Sequence, residues 1–425
     1  MKNECFALVD CNNFYAACER VFDPELAGKP VGILSNNDGI IVALSRELKE
    51  LGITRGTPVF KIDPHLIRKH DIRIFSSNYT LYGDMSARVM KTLCQFAPDL
   101  EVYSIDEAFL RLTALRHLNL AAYALEIRET VNRWTGLPVS IGIGATKTLA
   151  KIANHVAKRS PASQGVFDLL SHPNRDSILE KIDVKDVWGV GPRYSNLLHR
   201  NGINNALQLS RAPAGWIQEK MTIMGLRTVM ELNGTACIEL EMAVEPKQEI
   251  VSSKSFGQPV TELADLQEAA SSYCLRAVEK LREEQQVASQ LMVYLTTNRF
   301  RDEPQYANFE SAHLPLPSAY TPDFLHLVRQ ILAGIYRPGY RYKKVGVMLS
   351  DIIPASKAPL DLFAPTYLDD RRQTIMACLD GLNRKMGMHT VTYASTGREQ
   401  HWQMKREHLT PHYTTSWQDL PRVKA

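Results

Sequence analysis

The chain has 425 residues, 44% of them hydrophobic and 23% charged, which allows several folded domains and argues against a disordered polypeptide. Its net charge of +4 is mildly basic, so a nucleic-acid partner is permitted but not demanded. Seven scattered cysteines without a C-x-x-C pair argue against a disulfide framework or a zinc site and point to a reducing cytoplasm, and no apolar run is long enough to span a membrane.

The first apolar run, Phe6 to Val9, passes into Asp10-Cys11-Asn12 and predicts a buried strand with a carboxylate at its C-terminal tip, followed by a helix from Asn13 to Val21. A turn-rich insertion (Gly28-Lys-Pro30, Asn36-Asn-Asp-Gly39, Gly56-Thr-Pro58) leads to a long helix from about Tyr79 to Phe96, stopped by Pro98. Strand, tight turn and strand come next, Leu100 to Ser104 and Ala108 to Leu112, with Asp106-Glu107 between them. A helix from about Asn119 to Trp134 and an apolar strand from Val139 to Ile143 complete the order βαββαβ. This is the ferredoxin-like arrangement of an α+β fold, in which the third strand lies beside the first and antiparallel to it. Asp10 and Asp106-Glu107 then share one edge of the sheet, where cations must relieve their mutual repulsion. Asp10, Asp106 and Glu107 are therefore the candidate catalytic and metal-binding residues, suited to two-metal phosphoryl transfer. An Asp-Glu pair taken alone is a polar hairpin turn; its placement opposite Asp10 gives it chemical meaning.

Beyond Lys158 a helical region extends to Asn233-Gly234, with Gly189-Val190-Gly191 as a turn between two helices. Glu239 to Gln248 reads as a polar linker. A separate α+β domain follows to about Asp351, with helices near Leu266 to Gln285 and Pro322 to Tyr336 and strands near Gln290 to Thr297 and Lys344 to Leu349. Arg337, Arg341, Lys343 and Lys344 form a basic cluster that suits either DNA or a solvated face. A linker around Pro354 and Pro359, a short helix from about Arg371 to Arg384 and a basic, polar end complete the chain.

Asp10-Cys-Asn-Asn-Phe-Tyr15-Ala, Ser104-Ile-Asp-Glu107 and Lys147-Thr-Leu-Ala-Lys-Ile-Ala-Asn154 resemble the palm motifs of Y-family DNA polymerases. Ser35-Asn-Asn-Asp-Gly39, Phe75-Ser-Ser-Asn-Tyr79, Trp402-Gln-Met-Lys-Arg-Glu407 and Tyr413-Thr-Thr415 resemble the UmuC-type subgroup. The resemblance implies a right-hand polymerase with a ferredoxin-like palm (1–14 and 79–165), small fingers (15–78), a helical thumb with a helix-hairpin-helix (166–235), an α+β little finger (246–351) and a C-terminal tail (352–425). It implies error-prone translesion synthesis in the SOS response, adding dNTPs to a primer 3′ end opposite damaged DNA, with two Mg²⁺ ions held by Asp10, Asp106, Glu107 and the Cys11 carbonyl. Tyr15 matches the steric gate, and Phe14, Arg46, Lys49 and Lys158 match nucleotide-binding positions. Lys49 stands where many relatives have arginine, so a point charge replaces a fork, and Arg46, one turn away, could substitute. Gly189, Val190 and Gly191 match a turn that grips the DNA backbone. Leu360, Leu362 and Phe363 resemble the peptide by which bacterial polymerases dock on the sliding clamp, although Pro359 takes the place of the usual glutamine. The implied partners are primer-template DNA, a cleaved UmuD-type dimer, a RecA filament and the clamp, with no membrane.

A nucleotidyl cyclase also uses a ferredoxin-like palm with metal-binding aspartates, but it needs neither a helix-hairpin-helix nor a clamp peptide. A catalytically idle DNA-binding scaffold has no use for three converging carboxylates.

Overall fold

The structure, a computed structural model, describes residues 4–242, 246–359, 370–387, 390–397 and 400–420. They fall into two compact units: Met1–Ser35 with Gly39–Val244 and His408–Ala425, and Asn36–Asp38 with Glu245–Glu407.

The first unit runs β1 (Phe6–Cys11), α1 (Phe14–Phe22), β2 (Val31–Leu34), β3 (Ile41–Leu44), α2 (Arg46–Glu50), α3 (Pro64–Lys69), β4 (Arg73–Ser76), α4 (Tyr79–Leu93), β5 (Leu100–Val102), β6 (Glu107–Arg111), α5 (Leu120–Thr135), β7 (Val139–Gly144), α6 (Lys147–Arg159), β8 (Val166–Asp168) and the helices α7 (Arg175–Glu180), α8 (Pro192–Arg200), α9 (Ala206–Ser210) and α10 (Ala214–Leu232). Its main sheet has the order β5-β6-β1-β7-β8, with β1 antiparallel to both neighbours. The expected ferredoxin-like order is thus present, with β8 added in parallel beside β7. Every residue of β1 and β7 is buried, the polar Asp10 and Ser140 included, as expected of mainly apolar strands with both sheet faces covered. The turn-rich insertion forms a second sheet, β3-β2-β4, around its own small core of Leu34, Ile41, Leu44 and Leu48.

The expected pair of helices around Gly189-Val-Gly191 needs correction. A single 3-10 turn, Val184–Asp186, precedes the glycines, and α8 follows them.

The second unit runs β9 (Ile250–Val260), α11 (Leu263–Glu283), β10 (Gln286–Thr297), β11 (Ala307–Ser318), α12 (Thr321–Ile335), β12 (Tyr342–Pro354) and α13 (Asp370–Met386). Its sheet order is β11-β10-β12-β9, and α11 and α12 contribute to the core that covers it. The two outer strands were not anticipated from sequence. Pro315 and Pro317 break the pattern of β11, and Gly257 and Pro259 that of β9; such residues are tolerated because both strands are edges. Arg282 grips Asp380 with two bonds, at 2.6 and 2.7 Å, and ties α13 to α11.

Helix α6 lies flat on β7 because Gly142 leaves room for it: a Cβ there would sit 2.0 Å from the backbone nitrogen of Asn154. Its residues Lys147, Lys151, Asn154 and Lys158 recur at four, three and four positions and so share one face. Lys147 is almost wholly buried, its ammonium 2.6 Å from Glu101 Oε2, which also accepts the Glu241 N–H at 3.0 Å. Removing one partner of such a pair strands the other charge in a low-dielectric interior. Lys147→Ala should therefore destabilise the first unit by about 3–5 kcal/mol, read as a lowered urea midpoint for that unit's transition; a loss below about 1 kcal/mol would mean that solvent already screens the pair.

Candidate active site

Strand pairing builds the site. Asp10, in β1, lies directly across from Glu107 in β6 and Ser140 in β7. The pairing of β1 and β6 continues one step further, where the Cys11 N–H donates to the Asp106 carbonyl at 2.9 Å. Three carboxyl-bearing residues from two distant segments thus meet at one sheet edge.

Ser104 shapes the turn that enters β6. Its hydroxyl accepts the N–H groups of Asp106 and Glu107, at 3.3 and 3.0 Å, and donates to Asp106 Oδ1 at 2.7 Å. Both the Tyr103 and Ser104 N–H groups donate to the Glu107 carbonyl at 3.1 Å. This is the side-chain-to-backbone bonding that makes serine a turn former. The Asp106 carboxylate is engaged by Ser104, while Asp10 and Glu107 share a hydrogen bond. Among the described residues, accordingly, no three acidic, His or Cys side chains are already gathered as a closed ligand set.

Helix α6 supplies the opposing charge. Lys158 places its ammonium 2.5 Å from Asp10 Oδ2, and Lys151 places its own 2.8 Å from Glu107 Oε2 and 4.3 Å from the centre of the Tyr103 ring. Burial pushes the Asp10 carboxyl up to about 7 against the pull of Lys158. Burial also works to raise Glu107, but the hydrogen bond from Asp10 and the Lys151 ammonium outweigh it and hold Glu107 low. Cys11 is buried, and burial drives its thiol far upward, so the thiol is inert and only the backbone of this residue is available.

The other cations divide sharply. Lys49 donates to Asn13 Oδ1 at 2.7 Å, and Asn13 occupies the left-handed N-cap of α1 at φ 51°. Burial, together with the nearby Lys158 and Arg55, lowers the Lys49 pKa. Like charges gathered in this way are suited to a polyanion. Arg46, in contrast, pairs with Glu50 at 2.8 Å with 82% of its side chain exposed, so the side chain offered as a substitute for Lys49 is otherwise engaged. Arg55 and Lys151 were missed in the sequence. Arg55 lies in a turn with no periodicity, whereas the four-residue spacing of Lys147 and Lys151 was a usable signal.

Tyr15 is half-buried, stacked on Tyr82 with ring centres 4.4 Å apart and edge-on to Tyr79 at 6.1 Å. Phe14 is buried beneath it in the core, so its ring supports Tyr15 and is not itself offered to a ligand. In the Gly189 turn, Val190 anchors the loop in the helical core while Gly189, at φ +87°, and Gly191 are exposed. Of the basic cluster in the second unit, Arg341 is 3.4 Å from Glu303, Lys343 donates to the Phe256 carbonyl at 2.6 Å and Lys344 lies over the Tyr294 ring, so local contacts account for much of it. Arg337 also bonds locally, to the Gly334 carbonyl at 3.4 Å. Leu360, Leu362 and Phe363 lie outside the described residues. No helix among the described residues is long and apolar enough to cross a membrane.

Known proteins resemble the chain along nearly its whole length. Family models match the impB/mucB/samB family at residues 9–155, the C-terminal domain of that family at 247–362 and a Domain of unknown function (DUF4113) at 373–423. The chain is 45% identical to Protein UmuC of Salmonella typhimurium (strain LT2) over 99% of its own length and 100% of that protein's. It is 42% identical to Protein ImpB of Salmonella typhimurium over 99% of both. The solved structure of a Y-family DNA polymerase chimera of Dbh and Dpo4 shares the fold, with a TM-score of 0.63 at 19% identity over 82% of this chain and 99% of that one.

Proposed function

We propose that this chain, which belongs to the impB/mucB/samB family of Y-family DNA polymerases, transfers nucleotides by a two-metal mechanism at the edge formed by Asp10, Asp106 and Glu107. It is a DNA-directed DNA polymerase of the UmuC type, and it performs error-prone translesion synthesis in the SOS response, adding dNTPs to a primer 3′ end opposite damaged template.

The opposition of Asp10 and Glu107 across β1 and β6, each met by a lysine of α6, carries the mechanistic reading. Desolvated carboxyls in such a position need cations, and here ammonium groups stand in for them. The set is all oxygen once Asp106 exchanges its serine partner and the Cys11 carbonyl is included, which suits a hard ion such as Mg²⁺. Asp10, Asp106, Glu107 and the Cys11 carbonyl would hold two Mg²⁺ ions, which when bound activate the primer 3′ hydroxyl and neutralise charge on the departing pyrophosphate.

The chain's own residues do the rest. Lys158 and Lys49, joined by Arg55, hold the triphosphate of the incoming dNTP and offset its charge. Tyr15, braced by Tyr82 and Phe14, presents its ring to the sugar and acts as the steric gate against ribonucleotides. Residues 1–14 and 79–165 act as palm, 15–78 as fingers, 166–235 as thumb, 246–351 as little finger and 352–425 as tail. Exposed backbone at Gly189 and Gly191 suits contact with DNA phosphates without reading sequence. Partnership with a cleaved UmuD-type dimer, a RecA filament and the sliding clamp rests on the resemblance to UmuC-type proteins.

Asp106→Ala should lower kcat for primer extension by about three orders of magnitude or more, about 4 kcal/mol of transition-state stabilisation, while fluorescence anisotropy shows primer-template binding nearly intact. Activity within about tenfold of the parent contradicts the metal assignment. The two fingers cations should also separate in steady-state insertion assays. Lys49→Ala should raise KM for the dNTP by about tenfold, equivalent to about 1.4 kcal/mol, whereas Arg46→Ala should change it by less than about twofold, because its guanidinium is committed to Glu50. The reverse order would assign the triphosphate contact to Arg46.

A further inference from the structure

Within the first unit, the segment His408–Asp419 packs behind the aromatic cluster of the site. His408 and Ser76 exchange two bonds: the Ser76 N–H donates to the His408 carbonyl at 2.9 Å, and the His408 N–H donates to Ser76 Oγ at 3.0 Å. Asn78, the N-cap of α4, holds the Leu81 N–H with its Oδ1 at 3.2 Å, and its amide Nδ2 donates to Thr410 Oγ1 at 3.0 Å and to the carbonyls of Thr410 and Pro411 at 3.1 and 3.2 Å. The Thr410 hydroxyl in turn donates to Glu19 Oε1 at 3.3 Å, and Tyr413 stacks on Phe22 with ring centres 4.9 Å apart. The His412 N–H donates to Asp419 Oδ2 at 3.0 Å, which closes the tail on itself.

These contacts end on the residues that hold Tyr15. Glu19 is one helical turn beyond Tyr15 on α1, and Tyr82 is one turn beyond Asn78 on α4. Tyr82 joins the two helices, donating its hydroxyl to Glu19 Oε1 at 2.6 Å while its ring stacks on Tyr15 at 4.4 Å. Thr410 therefore touches both Asn78 and Glu19, and both of these hold Tyr82, the ring on which Tyr15 stacks: the Tyr82 N–H donates to the Asn78 carbonyl at 3.0 Å and its hydroxyl to Glu19.

We propose that the tail segment His408–Asp419, within the stretch that the Domain of unknown function (DUF4113) matches, is a positioning element for sugar selection, fixing the Tyr15 ring through Thr410, Glu19, Asn78 and Tyr82. This inference rests on Tyr15 being the steric gate. A clash discriminates only as well as the ring is held, since a ring free to tilt admits the 2′ hydroxyl. The residues of the relay are positioning residues and touch no substrate.

The test uses the full chain, with its protein partners wherever the parent needs them to extend a primer, and measures kcat/KM for single insertion of dCTP and rCTP opposite template G. Thr410→Val removes one hydroxyl, and with Tyr413→Ala it should raise the rCTP to dCTP ratio by about fivefold to tenfold, with a smaller change for dCTP alone. Thr410→Ser with Tyr413→Phe should restore the parent ratio. Tyr15→Ala in parallel should raise the ratio by about a hundredfold or more. An unchanged ratio in Tyr15→Ala overturns the gate and the proposal together. A raised ratio in Tyr15→Ala with parent-like ratios in the tail variants overturns the positioning role alone, as does an equal loss for both nucleotides. Thr410→Val alone, a near-isosteric change, keeps the comparison available should the double variant fold poorly.

Discussion

The close approach of α6 to β7 is the constraint on which the site depends. A Cβ at Gly142 would meet the backbone of Asn154 at 2.0 Å and one at Gly144 would meet Ala150 N at 2.6 Å, so the helix can rest on the strand only where side chains are missing. At that distance the buried Asn154 amide reaches the Ser140 carbonyl at 2.7 Å and the Leu8 carbonyl at 3.3 Å, and so locks α6 to β7 and β1 together. Lys151 and Lys158, one turn to either side of Asn154, are then delivered onto Glu107 and Asp10. The helical region of the unit that ends in α10 is coupled to the same helix. Glu231 of α10 is fully buried and accepts the N–H groups of Thr148, Cys237 and Ile238, at 3.0, 2.9 and 3.2 Å. A carboxylate satisfied by backbone donors needs no counter-ion, so Lys151 and Lys158 are left for the sheet edge.

Lysine rather than arginine suits that edge. A compact ammonium on a flexible stem can cap a lone carboxylate and withdraw when a harder ligand of the carboxylate arrives, whereas a bidentate guanidinium pair would compete with it. Lys147 illustrates the contrast within the same helix. Its ammonium lies in a closed, nearly dry setting and is spent on the fold, while Lys158, with 36% of its side chain exposed, lies where solvent and ligand can reach it. One repeating face thus runs from structural to functional charge as it approaches the sheet edge.

Much of this was legible in the sequence, and the failures have physical causes. The βαββαβ order, the strand-tip Asp10 and the convergence with Asp106-Glu107 followed from apolar runs long enough to show a period. The outer strands β9 and β11 did not, because edge strands admit the prolines and glycine that erase the pattern. Lys49 and Arg46, three residues apart on one short helix, could not be separated by spacing; the difference lies in Asn13 and Glu50, which side-chain packing alone reveals. Asp106 was expected beside its fellow carboxylates, and the backbone does meet that expectation, but the Ser104 hydroxyl two residues away claims its side chain. Local bonding of this kind leaves no periodic trace.

The tail was the least legible part, because among its described residues it forms no long regular element in the first unit and carries no repeating apolar face. Its docking is written in single polar atoms and one aromatic stack, Tyr413 on Phe22, and several of these contacts fall on α1 and α4, the helices that carry Tyr15 and Tyr82. Helix α1 shows why that matters: it bears Tyr15 toward the site and Glu19 one turn away, with Glu19 only 2% exposed. Burial lifts the Glu19 carboxyl to about 7, against the hydrogen bonds from Tyr82 and Thr410 that favour its charged form. A group so placed is sensitive to the loss of either donor, and both donors come from outside α1. The orientation of α1 near Tyr15 is therefore not a property of the ferredoxin-like core alone but of that core closed by residues more than 300 positions later in the chain.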